Sequence, residues 1–227
     1  MGASEVTFER TNPELRADVL VIQAVSSDNP DSPDLSHPLI GDFCGKLGID
    51  TGILAGLLKQ NPDFSGLTVT GPEEFPITNE NGDVAEEVRL WIADLPGIGQ
   101  TEVSINRLYP AATKWRDATS SHRITRDDNQ GDFEIMYGLA GEFVLTLPDA
   151  VQPVDGVPRA TAGRDDIYVS PGTLVIIPAP RANGWVKVTS EPCSFVYVCN
   201  PPWNQDLIVP TPDSGPPRPR QADFWPE

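Results

Sequence analysis

Histidine is scarce in this sequence: only His37 and His122 occur among 227 residues. Imidazole is the ligand that proteins use most often for transition metals. A site built from three histidines is therefore excluded, and tight binding of zinc, iron or nickel is not expected. His37 precedes a proline and an apolar segment, so we predict a structural role for it.

Paired cysteines are also absent. Cys44, Cys193 and Cys199 form no CxxC motif, and their odd number does not predict a disulfide framework. We interpret them as small buried side chains of a protein in a reducing compartment, and we expect a cytoplasmic location.

The sequence has few positively charged residues and lacks long apolar runs. Sixteen Lys and Arg residues stand against 33 Asp and Glu, for a formal net charge of −17. Such a surface repels phosphate backbones and anionic membranes. No run approaches the roughly 18 apolar residues that span a bilayer, and the opening MGASEVTFERTN lacks the apolar core of a secretory signal. We expect neither nucleic acid nor a membrane as a partner.

Proline and glycine, by contrast, are abundant, and they separate many short apolar runs. The chain holds 24 prolines and 19 glycines, which is typical of a mainly β protein with many turns. Strand-like runs begin at residue 67: LTVT, EEVRLWIADL, TEVSINRLY, FEIMYGLAGEFVLTLP, YVSPGTLVIIPAP and WVKVTSEPCSFVYVCN. Strands at this spacing predict a sandwich or a barrel.

A helix-like region precedes these strands. Apolar residues recur there at helical spacing, and Asp50 and Thr51 can cap a second short helix that ends at Asn61-Pro62. We predict three parts: a helical and β-extension over residues 1–98 that packs on the barrel, a barrel over 99–205, and a Pro-rich tail over 206–227.

Two stretches of the barrel region resemble the motifs of the cupin superfamily. Glu134 followed by Gly141 fits the E(x6)G half of the first motif, and Gly172 followed by Pro178 fits the first half of the second. The resemblance covers about residues 100–200. It implies a jelly-roll β-barrel, a small-molecule ligand and, through pairing of edge strands, a homodimer.

The residues at the metal-ligand positions depart from the cupin pattern. Where the family has three histidines, the spacing places Asp128, Gln130 and Asn183. A second alignment uses His122-Arg123-Ile124 as the first element and Asn183-Gly184-Trp185 as the second, with an insertion before Glu134. Three alternatives follow: a site without a cofactor, which we expect, a divalent ion held by oxygen ligands, or a site based on His122.

Strand alternation around Glu134 predicts which side chains meet a ligand. Glu134, Met136 and Gly138 share one face of their strand, and Phe133, Ile135 and Tyr137 share the other. If the aromatic face packs against the N-terminal region, Glu134 points into the barrel. A carboxyl group there loses hydration, its pKa rises, and it suits proton transfer.

These residues lead to a hypothesis for the function. The candidate catalytic residues are Glu134 and His122, and the candidate substrate-binding residues are Asp128, Gln130, Met136, Asn183, Trp185 and Tyr197. The resemblance implies lyase or isomerase chemistry on a small metabolite, of the kind found in specialised-metabolite biosynthesis, without a metal ion. Two alternatives stay open: a non-catalytic binding or storage cupin, and a metal-dependent dioxygenase with an unusual ligand set.

Overall fold

The computed structural model describes residues 4–5, 19–25, 33–78, 81–110, 118–121, 133–148, 151–154, 157–160, 164–178, 182–188, 192–202 and 208–210. Two helices lie in this part of the chain, α1 (Pro38–Leu47) and α2 (Thr51–Leu57). The strands are β1 (Ser4–Glu5), β2 (Leu20–Gln23), β3 (Thr68–Thr78), β4 (Val84–Leu95), β5 (Gly99–Leu108), β6 (Ala118–Ser121), β7 (Phe133–Ala140), β8 (Phe143–Pro148), β9 (Val151–Val154), β10 (Val157–Ala160), β11 (Arg164–Val169), β12 (Thr173–Pro178), β13 (Ala182–Val188), β14 (Cys193–Asn200) and β15 (Ile208–Pro210).

Local sequence explains both helices. The Asp50 carboxylate accepts hydrogen bonds from the backbone N–H groups of Gly52 and Ile53, at 2.8 and 3.0 Å, and so caps α2 as predicted. His37 caps α1 by accepting a hydrogen bond from the N–H of Leu39 through Nδ1. This contact is consistent with the structural role predicted for His37.

Two antiparallel sheets form most of the described structure. The larger has the order β1-β2-β12-β7-β14-β5-β4-β3, and the smaller has the order β11-β8-β13-β6-β15. Strands β9 and β10 make a separate hairpin. Within the described residues no ladder of hydrogen bonds joins the two main sheets, so they face each other as an open jelly roll.

Each face of the large sheet is buried in its own core. The outer face carries Phe133, Ile135 and Tyr137, which pack in one cluster with the helix residues Ile40 and Leu54. The inner face carries Met136, Phe195 and Tyr197, and it packs against Phe143 and Leu145 of the small sheet. The rings of Phe143 and Phe195 lie 5.1 Å apart across the two sheets. The inner face is therefore the wall of the barrel interior.

Strand β3 is the last strand of the large sheet. It pairs only with β4 among the described strands, and most of its residues are exposed. The pairing shifts register between Thr70 and Glu73, around Gly71-Pro72. Part of the chain before residue 98 thus extends the same sheet that carries β5, β7 and β14.

Candidate functional site

Glu134 lies on the inner face of β7 with none of its surface exposed. Its neighbours across the sheet are Ile177 on β12 and Cys199 on β14. Directly paired residues of neighbouring strands point to the same face, and Met136, two residues along, belongs to the inner core. The aromatic residues Phe133 and Tyr137 pack outward against the helices, so the predicted orientation of this strand is observed.

Tyr197 is the second candidate residue in this place. It pairs with Met136, and it stands two residues from Cys199 on the same face of β14. Burial raises the pKa of Tyr197 well above its ordinary value, and the charges of Cys199, Glu134 and Glu102 add to the shift. The phenol therefore keeps its proton at neutral pH, next to the Glu134 carboxyl group.

Asn183 and Trp185 lie on β13 in the opposite sheet. Asn183 pairs with Ser120 on β6, and Trp185 pairs with Leu145 on β8. The structure describes the backbones of Asn183 and Trp185 but not their side chains. His122, Asp128 and Gln130 also lie outside the described residues. The structure thus brings Glu134, Met136 and Tyr197 together on one wall.

Sequence reasoning missed a second group of polar residues on this inner wall. Glu102, Ser104 and Asn106 alternate along β5, and their β14 and β4 partners continue the same face. The Ser104 hydroxyl donates a hydrogen bond to Glu102 Oε1 at 3.1 Å. All three residues are buried, although a polar alternation of this kind usually predicts a face in contact with solvent.

Glu86 on β4 completes this wall. It is 6% exposed, and it pairs with Leu108 at the far end of β5. Burial raises the pKa of Glu86 to about 8, and the nearby Glu102 carboxylate contributes to the shift. Among its described residues, the inner face thus carries three buried carboxyl groups: Glu86, Glu102 and Glu134.

A separate pocket lies at the other end of β7. Its volume is about 320 Å³, and Tyr137, Gly138, Leu139, Pro171 and Gly172 are among the residues that line it. Tyr137 is the titratable residue of its lining, and the Tyr137 hydroxyl donates to the carbonyl oxygen of Ala24 at 3.2 Å. The described residues that line this pocket include no carboxyl group for proton transfer.

The donor set around Glu134 bears on a metal ion. The described residues gather no group of three or more His, Cys, Asp or Glu side chains that would hold one. Glu134 supplies a single ligand at its motif position. Of the other motif positions, Asp128 and Gln130 lie outside the described part, and Asn183 is described only for its backbone. The residues that the structure describes do not by themselves fit a resident metal ion.

Comparison with solved structures gives several with a similar fold. Oxalate decarboxylase of Bacillus subtilis, described for its Mn(II) centers, is 16% identical over 60% of this chain and 29% of its own, with a TM-score of 0.38. Oxalate decarboxylase of Lactobacillus farciminis in a formate complex is 14% identical over 78% of this chain and 51% of its own, with a TM-score of 0.39. The FeII form of HppE is 11% identical over 72% of this chain and 76% of its own, with a TM-score of 0.40.

These similarities concern the fold. The matched structures have the cupin fold. The mainly β architecture predicted from the strand-like runs is confirmed by the two facing antiparallel sheets. The chain spans 29% and 51% of the two oxalate decarboxylases, less than two thirds of their length. No family model matches the sequence, and no curated protein matches it.

The expectation of a site without a cofactor is contradicted. Solved structures of this fold that resemble the chain are described with Mn(II) centers and with FeII. The missing imidazole ligands were given too much weight, and a divalent ion held by oxygen ligands was ranked second, although carboxylate and amide oxygens suit harder ions such as Mn²⁺. The sequence also predicts no membrane-spanning segment. None of the described helices is long and apolar enough to cross a bilayer.

Proposed function

We propose that the protein is a cupin-type enzyme that moves protons on a small organic metabolite, in a lyase or isomerase reaction of specialised metabolism. One observation carries this proposal: Glu134 is fully buried on the inner wall, within electrostatic reach of the Tyr197 phenol. A buried carboxyl group beside a protonated phenol is a pair suited to general base and hydrogen-bond donor.

The two residues would take complementary roles. The Glu134 carboxylate removes a proton from a carbon next to a carbonyl group, and the electron pair of the C–H bond moves into the carbonyl to form an enolate. The Tyr197 hydroxyl donates a hydrogen bond to the enolate oxygen. Glu134 then returns its proton, either to another carbon, which gives an isomer, or to a departing hydroxyl group, which leaves as water.

Other candidate residues would bind the substrate around this pair. Met136 contributes an apolar surface beside Tyr197. Asn183 and Trp185 would approach from β13 of the opposite sheet, and Asp128 and Gln130 from the segment before β7. His122 would assist proton transfer as the second candidate catalytic residue.

Exchange of carbon-bound protons with solvent tests this proposal without knowledge of the full reaction. The protein is incubated in D₂O with a panel of small ketones, keto acids and hydroxy acids, and deuterium uptake is followed by NMR. We expect uptake next to the carbonyl group of an accepted compound, and we expect Glu134→Gln to slow it about 10²–10⁴-fold, because a positioned base contributes that much.

Glu142→Gln provides the matched control, since Glu142 is an exposed carboxylate in the turn between β7 and β8. It should exchange like the unchanged protein. Undiminished exchange in a folded Glu134→Gln variant would show that another group removes the proton. Binding of panel compounds without any exchange would instead favour a non-catalytic binding cupin.

A further inference from the structure

Asn106 on β5 has a buried side-chain acceptor that no described residue satisfies. The residue is 5% exposed, and its Oδ1 atom has no hydrogen-bond partner in the part of the chain that the structure describes. Native proteins leave few buried acceptors unsatisfied, because such an atom has lost its bonds to water without replacement. A hydrogen-bond donor is therefore expected beside Asn106.

Glu86 is the long polar side chain that the strand register brings to Asn106. Asn106 pairs with Val88, and Leu108, two residues further along β5, pairs with Glu86. Glu86 and Asn106 are therefore diagonal neighbours on the same face, roughly 7–8 Å apart, a separation that long side chains span. Glu86 is also buried, and its partner on β3 is the apolar Ile77. A carboxyl group and a carboxamide group thus meet on the inner wall.

Among the described residues, no positive charge accompanies the Glu86 carboxyl group. The arginines of these two strands, Arg89 and Arg107, stand at the alternate positions and point to the outer face. The titratable groups that act on Glu86 are Glu102 on β5 and Cys193 on β14. Burial, and then the charge of Glu102, raises the pKa of Glu86 to about 8, and burial raises the pKa of Cys193 to about 12. The neutral acid is therefore the form of Glu86 that this wall favours.

We propose that the Glu86 carboxyl group donates its proton to Asn106 Oδ1, and that this hydrogen bond is a pH-sensitive latch between β4 and β5. One proton then satisfies both groups, because it neutralises the buried carboxyl group and gives the buried acceptor its donor. When Glu86 ionises, the proton leaves for the solvent, and the carboxylate faces the lone pairs of Oδ1. The latch therefore holds below about pH 8 and opens above it.

The latch lies at an end of β4 where the neighbouring structure is irregular. The β3–β4 pairing shifts register directly beside Glu86, and Val84, the first residue of β4, is 40% exposed. The backbone hydrogen bond next to the latch joins the N–H of Tyr109 to the carbonyl oxygen of Ala85 at 2.9 Å. Opening of the latch should therefore loosen this end of β4 before the rest of the strand.

A double-mutant cycle tests the pairing. Urea unfolding is measured for Glu86→Met, Asn106→Leu and the double variant at pH 6 and pH 9, on either side of the pKa of Glu86. At pH 6 each single variant leaves one buried partner unsatisfied, and the double variant removes both. We therefore expect its unfolding constant to be about tenfold smaller than the two single effects predict together. This coupling should fall at pH 9. The cycle of Glu87→Met with Asn106→Leu should show none, because Glu87 points to the opposite face.

Hydrogen exchange followed by NMR gives a second readout, with Glu86→Gln as the comparison. A glutamine amide can donate to Asn106 Oδ1 at any pH, so this variant keeps the latch closed. The amide of Tyr109 is compared with that of Val103, in the middle of β5. Between pH 6 and pH 9, protection of Tyr109 in the unchanged protein should fall about tenfold more than that of Val103. In Glu86→Gln the two amides should change alike.

Three results would overturn the proposal. An additive cycle at pH 6 would show that Glu86 and Asn106 do not interact. Coupling that persists or grows at pH 9 would show instead that an amide N–H of Asn106 donates to an ionised Glu86. Parallel exchange of Tyr109 and Val103 in the unchanged protein would refute the latch even if the Met and Leu variants do not fold. None of these readouts requires a substrate, so they are independent of the function proposed for Glu134.

Discussion

Glu86 is a carboxyl group that the fold keeps away from water, and its position makes folding sensitive to pH. Its pKa rises from an ordinary value of 4.5 to about 8, through burial and then through the charge of Glu102. Below pH 4.5 the group is protonated in both the folded and the unfolded chain. Above that pH the unfolded chain gains from ionisation and the folded chain does not, so the free energy of unfolding falls until the pH passes about 8.

Glu86→Gln should remove this loss of stability. For the unchanged protein we expect the contribution of Glu86 to fall by an amount on the order of 4 kcal/mol between pH 5 and pH 8. Urea unfolding of both proteins at these two pH values measures the difference. Glu87→Gln should keep the pH dependence of the unchanged protein. An equal fall in stability for Glu86→Gln would show that Glu86 is hydrated or has a cationic partner in solution.

The turn between β7 and β8 explains the glycine of the first cupin half-motif. Gly141 has a φ of 66°, and a β carbon at this position would lie 2.7 Å from the Cα of Cys193. Both the backbone conformation and the space beside β14 therefore require glycine. The turn holds β7, with Glu134, against β14, with Tyr197.

Gly141→Ala should destabilise the protein more than Gly97→Ala. Gly97 also has a positive φ, of 78°, but its β carbon would meet no atom within 4 Å. A left-handed alanine costs roughly 1–2 kcal/mol, so Gly97→Ala should lose about that amount and Gly141→Ala distinctly more. Thermal and urea unfolding of the two variants give the comparison. Equal losses would mean that β14 moves aside without cost.

The sequence correctly predicted the elements whose apolar residues recur with one clear period, either helical or alternating. Helical spacing and the Asp50 cap predicted α2, and alternation in FEIMYGLA predicted the two faces of β7. Alternation separates two faces without saying which one is buried, and on β5 the polar face is buried from Glu102 onward while the apolar face is exposed at Arg107. For that reason Glu102 and Asn106 were not recognised. Strands β9 and β10 were also missed, since Pro153 and Pro158 argue against a strand.

At the scale of the whole molecule, strands from before and after residue 98 share one sheet. Strand β2 lies between β1 and β12, and β3 and β4 continue the sheet beyond β5. The helices cover the outer face of β7 and β14. The division into an extension over 1–98 and a barrel over 99–205 remains a prediction, and these contacts favour an extension that packs on the barrel.

Limited proteolysis should therefore yield no stable barrel fragment. Removal of residues 1–98 would expose the edges of β12 and β5 and the apolar outer face of β7. We expect trypsin to leave a core containing β2 through β14 or to degrade the chain fully, as mass spectrometry of the products would show. A folded, soluble fragment of about residues 99–205, judged by its thermal transition, would contradict this expectation.

The composition of β3 has a consequence for contacts between molecules. An exposed edge strand invites a strand of another copy to add to the sheet, which is a common route to aggregation. Pro72 and Pro76 have no N–H to offer such a strand, and Glu73 and Glu74 would bring like charges together. The irregular pairing around Gly71-Pro72 also disrupts the regular edge. The β3 edge of this acidic protein therefore resists edge-to-edge polymerisation, and the predicted homodimer would form through a different surface.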